Sequence, residues 1–366
     1  MPLWSADMQE AGQKEADSMA IGEAIEKKMI KNETLAYFMV RAWNFLTACG
    51  INADAIRFRQ HRAKEMAHYA QDCWDAEVQT SYGWIEVGGH ADRSAFDLTR
   101  HQKATKVELM AARALPEPRH EKVINCILDK KIGGKEFKRD WKAVCDFFDA
   151  LSVEDKRPMK VKFEEDGKIV INVEGKDITL EKRHISFSEE TKIQHEEKYI
   201  PYVIEPSYGI GRIVYCIFEH CFNVRAEDAQ RTYFTFPPLI APVKCSILPL
   251  INNEGLNVKT QELKKMLIRA GVSNKVDDSG VSVGKRYART DECGIPFALT
   301  VDFETLEGKT KDTVTMRDLD SMKQIRLPIE EVSDIILDLS ANRISWNDCV
   351  DKYGLFVHEV KEEEEK

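Results

Sequence analysis

The run Glu205-Pro206-Ser207-Tyr208-Gly209-Ile210-Gly211-Arg212-Ile213 constrains this 366-residue chain more than any other stretch. Tyr202-Val203-Ile204 before it reads as a buried strand, and Ile213 to His220 after it reads as an apolar helix. The glycines therefore mark a bend, and Arg212 should stand near a helix start. A carboxylate and a hydroxyl precede the bend and one arginine follows it. The carboxylate can hold an ammonium, the hydroxyl can orient a small substrate, and the arginine can neutralise a polyphosphate at the positive end of a helix. In outline this is a site for an amino acid and a nucleotide. Its rival is an ordinary strand-turn-helix with a surface arginine.

Charge limits the partners such a site can serve. With 53 Lys and Arg against 62 Asp and Glu, the formal charge of −9 argues against gripping nucleic acid by bulk charge but leaves local basic patches open. The nine cysteines are scattered, odd in number and without a Cys-x-x-Cys pair, which fits a reducing compartment. The opening Met1-Pro2-Leu3-Trp4-Ser5-Ala6-Asp7 has no basic segment followed by an apolar run, so no signal peptide is expected. Leu35 to Cys49 is the most apolar segment, yet it carries Arg41 and Asn44 and is too short to span a membrane. It reads as a core helix.

Periodicity divides the chain further. Residues 8–49 are helical in pattern, Ile56 to His61 alternates like a strand, and Lys64 to Glu77 has helical spacing at Met66, Tyr69, Ala70, Cys73 and Trp74. Tyr82-Gly83-Trp84-Ile85-Glu86-Val87-Gly88-Gly89 reads as a strand in the floor of a cleft. Between 116 and 199 the chain turns Lys- and Glu-rich, with Val161-Lys162-Phe163 and Ile169 to Val173 flanking Asp166-Gly167 as an expected hairpin. After Pro237-Pro238, strands and helices alternate as in a compact α/β domain. The expected order is a first domain over 1–115, an insertion of helices and a small sheet over 116–199, a return to the first domain over 200–236, an α/β domain over 237–356, and a charged tail over 357–366.

Individual residues were weighed against ordinary structural roles. His61, Glu65 and His68 could share a helix face as metal ligands, but bonding to neighbouring charges is the better expectation, and no dedicated metal site is assigned. Glu86 lies between Ile85 and Val87 in a segment that wants burial, so its charge should face a cleft and a cation. Asp92-Arg93 and Asp97 read as a structural ion pair. Gly284-Lys285-Arg286-Tyr287-Ala288-Arg289-Thr290, with Arg317, Lys323 and Arg326, combines cations with an aromatic as an RNA-facing surface would.

Together these segments resemble eukaryote-type glycyl-tRNA synthetase, a class II aminoacyl-tRNA synthetase. The resemblance is carried by Arg57-Phe58-Arg59-Gln60-His61, Glu65-Met66-Ala67-His68-Tyr69-Ala70, Cys73-Trp74-Asp75-Ala76-Glu77, Thr80 to Glu86, Ala91-Asp92-Arg93-Ser94 and Val203 to Arg212. Asp228 to Thr232, Gly284 to Glu292 and Arg317 to Arg326 add to it, and the similarity is weakest over 116–199. The implied fold is mixed α+β and α/β: part of a class II antiparallel-sheet catalytic domain plus an α/β anticodon-binding domain. The implied activity is ATP-dependent activation of glycine and its transfer to the 3′ end of tRNA-Gly in protein synthesis.

The resemblance also implies roles residue by residue. Gly209-Ile210-Gly211-Arg212 would be the third class II motif, with Arg212 on the ATP polyphosphate. Glu205, Pro206 and Ser207 would border glycine, and Glu86 and Val87 would contact ATP or its Mg2+, making Arg212 and Glu86 the catalytic pair. Lys285, Arg286, Arg289 and Arg317 are the candidate tRNA contacts. A homodimer in the full-length family, no membrane association and a cytoplasmic location complete the expectation, a mitochondrial form of the full-length protein being left open.

The chain departs from the family pattern in one respect: the first and second class II motifs lie upstream of where it begins. Phe58-Arg59-Gln60-His61 is not the second motif, since His61 replaces its acid. His90 stands where relatives commonly hold a smaller residue and receives no role. The chain is therefore expected to be a C-terminal fragment that binds tRNA with impaired activation. A non-catalytic nucleic-acid-binding or dimerisation subunit of the same fold is the alternative, and an ATP-using amidotransferase or other small-molecule ligase is a third reading.

Overall fold

The computed structural model describes residues 1–173, 175–226 and 228–357, without the side chains of 121 and 229. The charged tail expected from 357 falls, beyond Val357, outside these residues. Two compact units are present: Met1–Asp97 with Tyr202–Lys366, and Leu98–Pro201.

The larger unit begins with strand β1 (Pro2–Trp4), helix α1 (Ala6–Glu10), strand β2 (Asp17–Ser18) and helices α2 (Ile21–Glu26) and α3 (Glu33–Ala48). Asn32 caps α3 by accepting from the amides of Thr34 and Leu35, and Leu35, Met39, Ala42 and Leu46 line its buried face at helical spacing. Strands β3 (Ile56–Gln60), β4 (Asp72–Thr80) and β5 (Gly83–Asp92) follow. Residues 64–77 are not the helix that their spacing suggests. Turns lead into β4, whose pairing with β3 on one side and β5 on the other overrides the local pattern.

The smaller unit takes in most of helix α4 (Phe96–Thr105), then the long strand β6 (Ala111–Leu128) and helices α5 (Lys130–Glu136), α6 (Asp140–Ala150) and α7 (Val153–Asp166). It ends with strands β7 (Lys168–Val173), β8 (Lys176–Glu181) and β9 (Ile185–Tyr199). Trp141, Val144, Phe148, Phe163, Ile169 and Leu180 form its core. The expected hairpin is displaced. Val161 to Phe163 belong to α7, started by a Ser152–Asp155 capping box, and Gly167 ends that helix at φ +67. The hairpin is instead β7 with β8.

Strand β10 (Ile204–Tyr208) and helix α8 (Ile210–Cys221) return the chain to the larger unit, followed by the hairpin β11 (Phe222–Arg225) and β12 (Asp228–Phe234). The first sheet has the order β10-β5-β4-β3-β1-β2, antiparallel except between β1 and β3. The remainder alternates as the sequence indicates: β13 (Cys245–Pro249), α9 (Glu254–Arg269), β14 (Asn274–Val276), α10 (Val283–Glu292), β15 (Phe297–Val301), α11 (Phe303–Leu306), β16 (Thr313–Asp318), β17 (Gln324–Pro328), α12 (Val332–Ser340) and α13 (Trp346–Tyr353). Its sheet runs β14-β13-β15-β16-β17 over a core that includes Ile247, Leu263, Leu299, Met316 and Ile336.

His90, left without a role above, is a core residue. It is fully buried, its ring edge-on to Phe58 and Tyr208. Burial lowers its pKa to about 4, so unfolding at mildly acidic pH takes up a proton that the folded ring refuses. Its contribution to stability is complete above the ordinary histidine pKa of about 6.5 and is lost progressively as the pH falls toward 4. Urea midpoints measured from pH 7 to pH 4 should decline accordingly, with a slope of up to about 1.4 kcal/mol per pH unit from this one group. His90→Ala should flatten that limb.

Candidate functional site

Strands present alternate side chains to opposite faces, and the first sheet uses this division fully. Phe58, Trp74, Ala76 and Val87 bury one face against α3. The other face is polar. One cross-strand row on it runs Arg59, Asp75, Gly89, Ser207, and the next runs Cys73, Ala91, Glu205.

Glu86 would point into the core if β5 alternated without interruption, because it is an odd number of residues from Gly89. A bulge prevents this. Glu86 pairs with Glu77 while Gly88 pairs with Ala76, leaving Val87 as the extra residue and resetting the alternation. Glu86 therefore shares the polar face with Asp75 and Ser207.

Helix α8 closes this corner. The Gly209 amide donates to the Val87 carbonyl at 2.7 Å, and Arg212, in the first turn, donates through Nη1 to the Glu86 carbonyl at 2.9 Å. The same guanidinium lies 3.8 Å from the Glu86 carboxylate, and both side chains remain more than half exposed. Close approach requires a glycine at position 88 rather than at the bend itself. Gly209 has φ −82, whereas a Cβ on Gly88 would stand 2.7 Å from the Ser207 carbonyl oxygen. Glu86, Val87 and Arg212 are thus brought together.

The amino-acid side of the site is built on β10. The Gly89 amide donates to Ser207 Oγ at 3.2 Å, and that hydroxyl donates to the Gly89 carbonyl at 3.2 Å. Pro206 is opposite His90 in the ladder. Arg93 Nη1 donates to Glu205 at 2.6 Å while its Nε donates to Asp97 at 2.7 Å, with Tyr69 stacked 3.8 Å from the guanidinium. Arg93 and Asp97 are the ion pair read from the sequence. That Arg93 also steadies Glu205 was not foreseen.

His61, Glu65 and His68 do not share a helix face. Glu65 accepts from Arg59 and Arg62, and His68 packs edge-on against Tyr69 and Phe96. His61 instead meets Asp75 at 2.8 Å, with Cys73 beside them. Those three offer nitrogen, oxygen and sulfur donors, but the hydrogen bond that His61 donates to Asp75 raises the His61 pKa to about 10, and the Arg59 guanidinium lies 3.6 Å from the same carboxylate. His61 and Asp75 Oδ2 are thus committed to each other, with Arg59 beside them. The cluster is an ion pair.

The RNA-facing set divides by burial. Arg286 is 2% exposed and donates to the Pro249, Asp277 and Leu250 carbonyls, while Arg317, 6% exposed, makes a two-pronged pair with Asp291. Both guanidinium groups are buried with their Nη atoms bonded to the protein, which removes both from the RNA-facing set. Lys285 and Arg289 are exposed on α10, Arg289 with an ion pair to Asp277 at 3.3 Å.

Residues 244–339 match the family model described as "Anticodon binding domain". An antiparallel sheet bearing a Gly-x-Gly-Arg helix start, joined to an anticodon-binding module, is the architecture of class II aminoacyl-tRNA synthetases. The chain is 48% identical over 357 residues to glycine–tRNA ligase of Drosophila melanogaster, covering 97% of this chain and 46% of that protein. Against the mitochondrial glycine–tRNA ligase 1 of Saccharomyces cerevisiae it is 43% identical over 98% of its length and 52% of the relative's. Glycine–tRNA ligase of Methanocaldococcus jannaschii is 43% identical, with 87% and 54% covered. The chain belongs to the glycine–tRNA ligase family, and it spans about half the length of the curated relatives it matches. No helix among the described residues is long and apolar enough to cross a membrane.

Proposed function

We propose that this chain carries one wall of the glycine and ATP site of a glycine–tRNA ligase, together with the module that engages the tRNA anticodon. The observation that carries the reading is the convergence of Arg212 and Glu86 beside Glu205 and Ser207 on one sheet face, with Val87 and Pro206 next to them along the same strands. Arg212 at the start of α8 would neutralise the polyphosphate, and Glu86 would hold its Mg2+. Glu205 and Ser207 would address the ammonium end of the zwitterion. Glycine has no side chain to grip, so selection has to come from its charged ends and from walls that leave no room for a methyl group. The closeness of β5 to β10 at Gly88 supports such a wall. Lys285 and Arg289 are the cations available to a tRNA backbone. A homodimer and a cytoplasmic location go with this reading, the latter supported by nine free cysteines.

The test is direct binding. The chain should retain tRNA-Gly in preference to an unrelated tRNA, and Lys285→Ala and Arg289→Ala should each weaken that binding and reduce its salt slope by about one. Arg212→Ala should weaken binding of an ATP analogue about tenfold or more. Equal affinity for both tRNAs sinks the first half of the proposal. An Arg212→Ala protein that binds the analogue as tightly as the parent sinks the second.

A further inference from the structure

Asp75 has no role in the reading above, yet it stands in the same cross-strand row as Ser207, separated from it only by Gly89. It is 7% exposed, and a polar group so enclosed needs compensating partners. Oδ2 has them in His61 at 2.8 Å and Arg59 at 3.6 Å. Oδ1 accepts no hydrogen bond among the described residues. The place where a Cβ on Gly89 would stand is 3.8 Å from this Oδ1 and 3.2 Å from Ser207 Oγ. Two polar oxygens on different strands therefore converge on one point, which is open because the residue between them is glycine. A cationic nitrogen near that point is within reach of both.

We propose that Asp75 is a further specificity-determining residue, whose Oδ1, together with Ser207 Oγ, receives the ammonium of the amino acid above Gly89. This rests on the reading that the polar face holds glycine. Glu205, with one carboxylate oxygen already held by Arg93, lies in the adjacent row and closes the same end of the site.

The test compares two ligands on the full chain: glycyl-sulfamoyl-adenosine, and its des-amino analogue in which hydrogen replaces the ammonium. Asp75→Asn is expected to weaken the first about tenfold or more and to leave the second within about twofold. Equal weakening of both ligands, or of neither, overturns the proposal. A parent protein that binds neither ligand overturns the underlying reading instead. Because Asp75→Asn leaves His61 without its ionic partner and could impair folding, Gly89→Ala provides a second arm. It keeps every charge and places a methyl group at the convergence point, so it should weaken both ligands. Parent-like affinity in Gly89→Ala, with an unchanged melting temperature, also overturns the proposal.

Discussion

Replacing Asp291 by alanine is expected to lower the melting temperature of the larger unit by on the order of 10 °C. Asp291 is 3% exposed and accepts from Arg317 at 2.9 and 3.2 Å and from Arg225 at 3.1 Å. Arg225 comes from β11, and it also donates to the Leu319 carbonyl at 2.8 Å and stacks 3.8 Å from Tyr233. One carboxylate therefore ties the hairpin that follows α8 to the anticodon-binding module. Its removal strands two guanidinium groups in a nearly dry setting, and breaking a buried pair from one side costs about 3–5 kcal/mol. Two stranded cations place the effect at the upper end. Differential scanning calorimetry of Asp291→Ala, with hydrogen exchange at β11 and α10, measures it. Asp291→Asn, which keeps two acceptor-sized groups in place without the charge, should lose less. A melting temperature within a degree or two of the parent's would show that the network contributes little.

The second large effect belongs to Gly88. Alanine there puts a carbon 2.7 Å from the Ser207 carbonyl oxygen, and because the obstacle is backbone no side-chain rotation relieves it. Strand β10 has to move away from β5, carrying Ser207 and Glu205 with it. Overpacking of this kind costs about 1–3 kcal/mol, but displacement of Ser207 and Glu205, the residues proposed to face glycine, should be felt more in binding than in stability. Affinity for glycyl-sulfamoyl-adenosine should fall by on the order of a hundredfold, with a melting shift of only a few degrees. Gly211→Ala is the matched control. Nothing lies within 4 Å of its added carbon, and the substitution favours the helix, so both quantities should stay near or slightly above the parent's.

What the sequence revealed about the fold follows the range of the forces involved. Helix α3 and the alternation from β13 to α12 were legible because each element carries its own period and stop signals. Strand β4 was not, because Met66, Tyr69, Cys73 and Trp74 mimic a helical stripe, while the partners that make the segment extended are β3 and β5. In the site, Arg212 near a helix start was readable from local pattern alone, whereas the face that Glu86 takes depends on the bulge in β5, which that pattern does not show. Asp75 was hidden behind the mistaken helix. Its signal was present in the alternation of Cys73, Asp75 and Glu77 with Trp74, Ala76 and Val78. The burial of Arg286 and Arg317 carried no such signal, since a charge run looks the same whether its guanidinium groups meet water or carbonyl oxygens.

The extra residue in β5 makes the site sensitive to chain length in a way that a list of its side chains does not convey. Val87 is the place where the pairing count is reset, so deleting it would leave an uninterrupted ladder with Glu86 two residues from Gly89 and still on the polar face, whereas inserting one residue beside it would turn Glu86 to the opposite face without changing it chemically. Exchanges of one side chain for another along this strand remove a contact at a time. A gained codon there would exchange core for solvent along the whole stretch back to Gly83.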